Sequence, residues 1–321
     1  MDKPAVPSPF LPGTRIQYAW DATSISYLKQ CPRLYQYIML EGWVSNADSV
    51  HLTFGNLFHE AVATYDKLAT SGLHHEDAVR QTIRELLVKS AEFDPDQGEK
   101  AGKYKNRDSL VRSVVLYLDH RHDDTMRTYI LANGKPAVEL SFTFELPFGP
   151  GSGEVYEQPY MLCGHLDRVC QDPNGDLFDE DHKTTIRTPG QYYFDQYDLD
   201  TQMTLYTLAG KVLLNAPIRG VMVNAVQLLL EPPYNRFVRG ITYRTADQLE
   251  EWIGDLQHWL TMAEWYATND VWPMNDTACD KYGGCRFRDV CSRSPSVRNI
   301  WLKDKFHQLP PEERWNPLKP R

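Results

Sequence analysis

The sequence predicts an α/β protein, with a mixed central sheet flanked by helices and an N-terminal helical region before it. Apolar residues recur at helical spacing through most of the first 131 residues, and they alternate as in strands from residue 137 onward. Two later stretches with helical spacing separate and follow the strands. Strands interleaved with helices in this way favour a sheet that carries helices on its faces.

The composition is that of a soluble globular protein. The chain has 321 residues, enough for one or two domains, with 42% hydrophobic and 24% charged residues. The longest apolar stretch, residues 220–230, is too short to span a bilayer, and the proline-rich residues 1–13 lack the apolar segment of a signal peptide. We therefore expect a cytoplasmic protein without a membrane partner. The net charge of −9 argues against extensive wrapping by duplex nucleic acid.

The first residues are expected to form a flexible arm, because residues 1–20 contain four prolines and no clear period. A helix is then predicted over residues 24–40. Thr23 or Ser24 can cap it, because a side-chain oxygen accepts a hydrogen bond from a free N–H of the first turn. Pro32 lies inside this helix and should kink it.

Three more helices are predicted before the strands, over residues 54–65, 76–93 and 108–131. His59 and Gly55 share one face of the first, so a phosphate or another backbone could come close to His59. By itself, His59 is better explained as a hydrogen-bonded core histidine. A polar loop is expected over residues 94–106, and Asn133-Gly134 should end the last of these helices.

Two cationic stretches are interpreted as solvated surface. The first contains Lys103, Lys105, Arg107 and Arg112, and the second contains Arg286, Arg288, Arg293 and Arg298. The overall negative charge still leaves room for a local basic groove around an acidic site.

Strands and helices alternate in the rest of the chain. Strands are predicted over residues 137–146, 160–170, 176–184, 220–230 and 237–243, and helices over residues 201–214 and 245–267. The connection over residues 188–200 is rich in aromatic side chains, namely Tyr192, Tyr193, Phe194 and Tyr197.

The second and third predicted strands form a hairpin that gathers charged side chains. Residues 172–175 (Asp-Pro-Asn-Gly) are a turn signal, because Asn and Gly tolerate the positive φ of a tight reversal. A turn there places Asp167 opposite Asp181. Asp181 and Lys183 share one face of their strand. Two carboxylates and one ammonium are therefore predicted to meet at one end of the hairpin.

This grouping suits the hydrolysis of phosphodiester bonds. Paired carboxylates bind a hard divalent cation through oxygen, and such a cation polarises a phosphoryl oxygen and lowers the pKa of bound water. The alternative is a solvated charged hairpin, since an acidic residue two positions before a lysine is common by chance. Asp179 shares the strand face of Asp181, but the hairpin register and the Asp-x-Lys spacing favour Asp181.

Four motifs in order along the chain resemble those of the PD-(D/E)XK nuclease superfamily, and in particular its RecB-like exonuclease branch. They are His59, Gly164-x-x-Asp167, Asp181-x-Lys183 and Gln202-x-x-x-Tyr206. Each is short, but all four in this order on the predicted elements are specific. The resemblance covers residues 24–291 and implies a restriction-endonuclease-like core.

The resemblance implies a role for each matching residue. One or two Mg²⁺ or Mn²⁺ ions would be bound by His59, Asp167, Asp181 and the main-chain carbonyl of His182. Lys183 would be the catalytic lysine. The site would also be lined by Gln202 and Tyr206, which would contact the nucleic-acid strand. Glu139 could support the metal site from the preceding strand.

The six cysteines fall into two groups. Cys163 and Cys170 lie on the hairpin and are expected to be buried. The other four are Cys31, Cys279, Cys285 and Cys291. In a cytoplasmic chain such a set suggests metal before disulfides. Zinc sites usually have two ligands separated by two to four residues, which this set lacks. Four thiolates also suit an iron–sulfur cluster.

The arrangement of one distant cysteine and three near the C-terminus is similar to the iron–sulfur sites of the AddB nuclease domain and of CRISPR-associated RecB-like nucleases. This likeness implies a structural [4Fe–4S] cluster that joins the first helix to the C-terminal segment. Zn²⁺ is the first alternative and free thiols the second. The last three cysteines are more widely spaced than the family pattern, which leaves the type of cluster open.

Five regions follow from the elements and the resemblance together. They are a flexible arm (1–20), an N-terminal helical region with His59 and Cys31 (21–135), the nuclease core (136–275), a cysteine-rich segment that closes on Cys31 (276–300) and a tail (301–321).

The leading hypothesis is a metal-dependent deoxyribonuclease, an exonuclease that acts on single-stranded or frayed DNA ends in recombination, repair or DNA processing. One alternative is a structure-specific endonuclease. The other is a nucleic-acid-binding or assembly module without activity. The intact set of two acids and a lysine argues against the inactive module, since decayed sites usually lose one of these residues.

Overall fold

Helices precede, interrupt and follow the strands, as the sequence predicts. The structure, a computed structural model, describes residues 6–46, 49–153, 157–280 and 284–319. The α-helices are α1 (Ala22–Gln30), α2 (Pro32–Tyr35), α3 (Val50–Thr70), α4 (His75–Lys89), α5 (Lys100–Tyr104), α6 (Arg107–His122), α7 (Gln191–Asp195), α8 (Thr201–Leu214), α9 (Ala246–Asn269), α10 (Arg288–Cys291) and α11 (Arg298–Lys305). The strands are β1 (Ala19–Trp20), β2 (Trp43–Ser45), β3 (Arg127–Thr128), β4 (Val138–Glu145), β5 (Met161–Gln171), β6 (Leu177–Thr185), β7 (Ile218–Leu228), β8 (Asn235–Thr242) and β9 (Phe306–Gln308).

The chain divides into two compact units. The first unit comprises Met1–Asp48, Ser141–Gly164 and Ala246–Arg321, and the second comprises Ser49–Leu140 and His165–Thr245. All the predicted catalytic residues fall in the second unit, and the four cysteines predicted to bind a cluster fall in the first. The two groups of residues therefore belong to different units.

The central sheet is mixed, as predicted. Its strands follow the order β1-β5-β6-β7-β8, with β3 and β4 also paired to β5. The β5–β6 hairpin is antiparallel, β6 and β7 are parallel, and β7 and β8 are antiparallel. In the hairpin, Arg168 pairs with Glu180, which is the predicted register. The turn is also as predicted, since Gly175 has φ +92° and its N–H donates to the Asp172 carbonyl at 3.0 Å.

Helices cover both faces of the sheet in the second unit, because β7 is buried along nearly its whole length. On one face, Val226 and Leu228 pack into a core with Phe54 and Phe58 of α3 and Leu110 of α6. Successive side chains of a strand point to opposite faces, and α8 lies on the other face. There the backbone of α8 at Gly210 comes close to the side chains of Asp179 and Ile218.

The first unit has a small sheet and a core of its own. Strands β2 and β9 are antiparallel, with Val44 opposite His307. A hydrophobic cluster near them is formed by Leu34, Tyr37, Trp43, Phe287, Val290, Leu302 and Phe306. Strand β1, at the end of the predicted arm, is parallel to β5, with Ala19 opposite Met161. Within the described residues, no helix combines the length and apolar character needed to cross a membrane.

The predicted start of the first helix is wrong. The N-cap of α1 is Asp21, whose carboxylate accepts from the N–H of Ser24, while the Ser24 hydroxyl accepts from the N–H of Asp21 in return. This reciprocal capping box satisfies two N–H groups at once, which favours Asp21 as the cap. The helix also breaks at Cys31 instead of kinking, and α2 and a π-helical turn over Gln36–Leu40 follow.

The predicted helix over residues 108–131 is too long, since α6 ends at His122. Asp124 turns the chain there: its carboxylate accepts from the N–H of Met126 and pairs with Arg239 of β8. The chain then forms β3, in which Arg127 pairs with Gln171. These contacts are distant in sequence, so helical periodicity could not show them. The predicted loop over residues 94–106 likewise contains the short helix α5.

Candidate active site

The β5–β6 hairpin, α3 and α8 bring the predicted catalytic side chains together. Asp167 lies on β5, and Asp181, His182 and Lys183 lie on β6. His59 comes from the middle of α3. Gln202 and Tyr206 come from the first turns of α8, which begins at the N-cap Asp200.

Asp167 and His59 form the first half of the site. The imidazole Nδ1 of His59 lies 3.0 Å from Oδ2 of Asp167, and its Nε2 donates to the main-chain carbonyl of His182 at 2.7 Å. The main-chain N–H of His182 also points to Oδ2 of Asp167 at 3.4 Å. Both partners of the imidazole are acceptors, so a doubly protonated ring satisfies both contacts.

Asp181 and Lys183 form the second half, and α8 extends it. The Lys183 ammonium lies 2.8 Å from Oδ2 of Asp181 and donates to its Oδ1 at 3.0 Å. It also donates to the Gln202 carbonyl oxygen at 3.0 Å. The Gln202 amide N–H donates in turn to the Tyr206 hydroxyl at 2.8 Å. This chain of contacts fixes which end of the Gln202 amide faces the lysine.

Burial and mutual charge shift the pKa values of all four ionisable groups. Burial alone lowers the pKa of His59 and raises that of Asp167, but their contact outweighs it, so the pKa of His59 is raised and that of Asp167 lowered. Burial raises the pKa of Asp181, and the nearby Asp167 charge adds to this. Burial alone lowers the pKa of Lys183, but Asp181 raises it more. Lysine and histidine thus favour their cationic forms.

Asp179, the alternative to Asp181, has different surroundings. Its side chain is buried, and neither carboxylate oxygen has a hydrogen-bond partner within the described part of the chain. Burial raises its pKa well above the usual range of a carboxyl. The geometry around Lys183 therefore favours Asp181, as the motif spacing does.

The donor groups suit a hard divalent cation, although they are not arranged as a finished metal site. In the described residues, no three His, Cys, Asp or Glu side chains form a group that could hold an ion. The reason is visible in the contacts: His59 is bound to Asp167, and Lys183 is bound to Asp181. Two carboxylates and a main-chain carbonyl nevertheless provide the oxygen ligands that Mg²⁺ and Mn²⁺ prefer. A cation would replace contacts that these groups now make to one another.

Comparison with protein families assigns the chain to a superfamily. A model of the PD-(D/E)XK nuclease superfamily matches residues 19–292, most of the chain. The chain belongs to this superfamily. Two carboxylates on a hairpin and a lysine two positions after the second are the pattern for which the superfamily is named, and Asp167, Asp181 and Lys183 have this spacing in the sequence.

Comparisons with individual proteins are less informative. The chain is similar to the crystal structure of SSO0001, with 11% identity, 76% of each chain covered and a TM-score of 0.34. It is also similar to a "putative exonuclease" from Eubacterium rectale, with 13% identity, 88% of this chain and 92% of the other covered, and a TM-score of 0.45. No curated protein matches it.

The four cysteines of this nuclease-superfamily protein lie near one another in the first unit. The pKa of the Cys279 thiol is raised by burial and by its neighbours Cys285 and Cys31. The pKa of Cys291 is likewise raised, mainly by burial, with Cys285 and Cys31 contributing. All four are free thiols. As they stand, they do not form a ready ligand set for one ion among the described residues.

Polar contacts of the backbone place these cysteines. The N–H of Asn275 donates to the sulfur of Cys31 at 3.3 Å, and the thiol of Cys279 donates to the carbonyl of Asn275 at 3.8 Å. The N–H of Cys285 donates to the carbonyl of Cys279 at 2.8 Å. Cys31, Cys285 and Cys291 also pack against the hydrophobic cluster near β2 and β9. Cys31 thus lies close to the chain around Asn275 and Cys279, and closure of the whole cysteine-rich segment on Cys31 stays a prediction.

Two residues of the second unit, Glu139 and Lys105, have features that the sequence did not indicate. Glu139 lies on β4 with an unusual φ of +52°, and its supporting role stays a prediction. Lys105 was expected to lie on a solvated surface, but this residue is only 4% exposed. Its ammonium donates to the hydroxyl of Thr184 at 3.1 Å and points to the main-chain carbonyl of Thr184 at 3.4 Å. Thr184 is the residue that follows Lys183. The composition of its segment gave no signal of this burial.

Proposed function

We infer that the chain is a Mg²⁺- or Mn²⁺-dependent deoxyribonuclease of the RecB-like branch, which hydrolyses phosphodiester bonds as an exonuclease on single-stranded or frayed DNA ends. One observation carries this proposal. The ammonium of Lys183 bridges Asp181 and Gln202, so the acid, the lysine and the glutamine of α8 meet at one point. The presence of Gln202 and Tyr206 on α8, four residues apart, supports the RecB-like assignment.

Asp167, Asp181, the main-chain carbonyl of His182 and the imidazole of His59 are the groups that would hold the metal. When bound, a divalent cation supplies a Lewis acid for the phosphoryl oxygen and lowers the pKa of coordinated water. The ring of His59 must lose a proton to become a ligand, because a metal ligand nitrogen needs its lone pair. The carboxylates are buried, so their charges act in a medium of low dielectric constant.

Lys183 acts by charge and position. As a cation it can orient the attacking water and offset the negative charge that develops on the phosphate. Gln202 keeps the ammonium in place by accepting one of its protons, and Tyr206 fixes the amide of Gln202 from the other side. A lysine held by both Asp181 and Gln202 loses little freedom when the substrate enters, which favours catalysis by preorganised charge.

Circular and linear single strands separate the proposed function from its alternatives. An exonuclease degrades only the linear strand, because it needs an end. A structure-specific endonuclease also cuts a suitable circle, and an inactive binding or assembly module cuts neither. We expect degradation of the linear strand in Mg²⁺ or Mn²⁺ and an intact circle, measured on denaturing gels. Cleavage of the circle at the same rate would overturn the exonuclease assignment.

A second cofactor is part of the proposal, namely a structural [4Fe–4S] cluster bound by Cys31, Cys279, Cys285 and Cys291. The support is that Cys31 and Cys285 both contribute to the raised pKa of Cys279 and of Cys291, so these four free thiols, from two distant parts of the sequence, lie close together. Four thiolates are the usual ligands of such a cluster, and Zn²⁺ is the alternative. Its role would be to tie α1 and α2 to the C-terminal part of the first unit.

A further inference from the structure

The segment that joins β6 to α8 carries two large apolar side chains in solvent. Tyr192, on α7, and Leu199, just before α8, each expose 91% of their surface, more than any other large hydrophobic residue among those described. Neither side chain contributes to the core, and neither takes part in the contacts around Asp167 and Asp181.

The rest of this segment is firmly held, so Tyr192 is presented by an ordered backbone. Arg244 is buried and donates to the carbonyl of Tyr197 and to the hydroxyl of Thr204, both at 2.8 Å. The ring of Phe194 packs directly against the backbone of Gly240, where a Cβ would lie only 2.2 Å from it. An aromatic side chain on such a support loses little entropy when it binds a partner.

The segment lies beside the catalytic groups. The segment begins after Lys183 on β6 and ends before Gln202 on α8. The side chains of these two residues are joined by a hydrogen bond, so both ends of the segment lie at the site. Within it, the hydroxyl of Tyr197 donates to that of Tyr193 at 3.3 Å. Burial raises the pKa of Tyr197, and the charge of Asp181 adds to this increase, so Tyr197 lies within the electrostatic reach of that carboxylate.

Arg187 is the free cation of this segment. It is exposed just after β6, and its guanidinium has no ion-pair partner in the described ranges. The acidic residues nearby accept hydrogen bonds from uncharged donors, and in the described ranges none of them is paired with Arg187: Asp195 accepts from Gln191, Asp198 from Thr242 and Asp200 from the N–H of Met203. An anion that approaches the segment therefore meets an unpaired guanidinium at its start.

We propose that Arg187 and Tyr192 form a contact site for an unpaired nucleotide next to the cleavage site, with the guanidinium on a backbone phosphate and the phenol ring stacked on the base. The inference rests on the proposed nuclease function and specifies its substrate as single-stranded. The face of a base is open to an aromatic ring only where the strand is unpaired, and stacking of this kind tolerates any sequence. Leu199 would give the neighbouring base a second apolar surface.

Binding of a fluorescein-labelled 12-mer of thymidine, followed by anisotropy in chelator with the full-length protein, tests the proposal. Tyr192→Ala should weaken binding roughly 5- to 150-fold, the value expected for the loss of one stacked base. Tyr192→Phe keeps the ring and should keep the affinity. Arg187→Gln should lower the slope of log affinity against log salt by about 0.7, the loss of one single-strand phosphate contact. Tyr192→Ala should leave that slope unchanged.

Trp265→Ala is the matched control, because Trp265 is a half-exposed aromatic residue on a different element, α9. It should bind like the wild type. Wild-type affinity of Tyr192→Ala, an equal loss in Trp265→Ala, or tighter binding of a 12-base-pair duplex than of the single strand would each overturn the proposal.

A cleavage assay on the same preparations separates this inference from the function on which it rests. Protein that binds with the expected profile but cleaves nothing in Mg²⁺ or Mn²⁺ would contradict the nuclease proposal and support the strand contact. Protein that cleaves, but whose Tyr192→Ala variant binds normally, would overturn the strand contact alone.

Discussion

At the scale of single residues, the site consists of charges that compensate one another. Asp167 is matched by His59 and Asp181 by Lys183, each pair within 3.0 Å. Taking these charges out of water is costly unless they are paired, which explains why acids and bases occur together here. The same pairing gives Asp181 and Lys183 distinct roles that substitution can separate.

We expect Asp181→Asn and Lys183→Ala to fail in different ways. Asp181→Asn removes a negative ligand and should weaken the binding of Mn²⁺ as well as cleavage. Lys183→Ala removes positive charge beside two carboxylates, so it should bind Mn²⁺ at least as well as the wild type and lose about 10²- to 10³-fold in the rate of cleavage. Calorimetric titration with Mn²⁺ checks the first property, with Lys67→Ala on the exposed end of α3 as control. Loss of Mn²⁺ binding in Lys183→Ala would contradict these roles.

The burial of Lys105 predicts that the folding stability of the protein depends on pH. Burial lowers its pKa from 10.5 to about 8, so between these values the unfolded state holds more protons than the folded state. Stability then rises with pH across this window, and the cost of burying the ammonium is greatest below it. We expect the melting temperature of the wild type, relative to Lys105→Met, to increase between about pH 8 and pH 10.5. A difference that stays constant over this range would show that the ammonium is not disfavoured by folding.

At the scale of elements, the hairpin was predictable and the helix ends were not. Residues 172–175 encode their own turn, and strand alternation sets which side chains share a face, so the register of β5 and β6 follows from local sequence. The end of α6 depends on the pairing of Asp124 with Arg239, and the position of Lys105 depends on Thr184. Such contacts join residues far apart in sequence, and no local pattern indicates them.

The candidate site was predictable to a similar degree. The motifs identified the side chains that meet around Asp181, because motif residues were placed on the correct elements. The contacts of these side chains were not predictable. His59 binds the carbonyl of His182, and Lys183 bridges Asp181 to Gln202. Both contacts depend on the packing of α3 and α8 on the sheet. Arg187 and Tyr192 gave no distinct signal, since only the structure shows how exposed they are.

The packing of α8 on the sheet can be tested with two helix glycines. A Cβ at Gly210 would lie 2.7 Å from Oδ2 of Asp179 and 2.9 Å from Cγ1 of Ile218, both buried. We expect Gly210→Ala to destabilise the protein by about 1–3 kcal/mol. Gly254→Ala on α9 meets nothing within 4 Å and should stabilise it by about 1 kcal/mol, through helix propensity alone. Thermal unfolding of both variants tests these two expectations. Equal increases in melting temperature would argue against close packing at Gly210.

At the scale of the whole molecule, two distant parts of the sequence meet at the cysteines. Cys31 follows α1, whereas Cys279, Cys285 and Cys291 lie beyond α9, and all four belong to the first unit. The four thiols form no disulfide bonds, so the stability of this region depends on its hydrophobic cluster and on any bound metal. A bound cluster would close a long loop of the chain and stabilise it accordingly.

We expect protein purified without oxygen to be brown and to contain iron. Cys285→Ala should lose iron and melt at a lower temperature, because a missing ligand releases the link between the two parts of the chain. Cys163→Ala is the control: Cys163 is fully buried on β5, so its loss should lower stability but not iron content. Stoichiometric zinc without iron in the wild type would replace the cluster by the zinc alternative, and unchanged melting of Cys285→Ala would exclude a structural role.

A single digestion experiment can test the proposal that the hairpin is a metal-dependent nuclease site. End-labelled single-stranded DNA is incubated with wild-type protein in Mn²⁺ or Mg²⁺, with wild-type protein in excess chelator, and with Lys183→Ala in the same metal. We expect cleavage in the first reaction, none in the second and a rate lower by about 10²- to 10³-fold in the third. Full activity in chelator, or cleavage by Lys183→Ala at the wild-type rate, would contradict it.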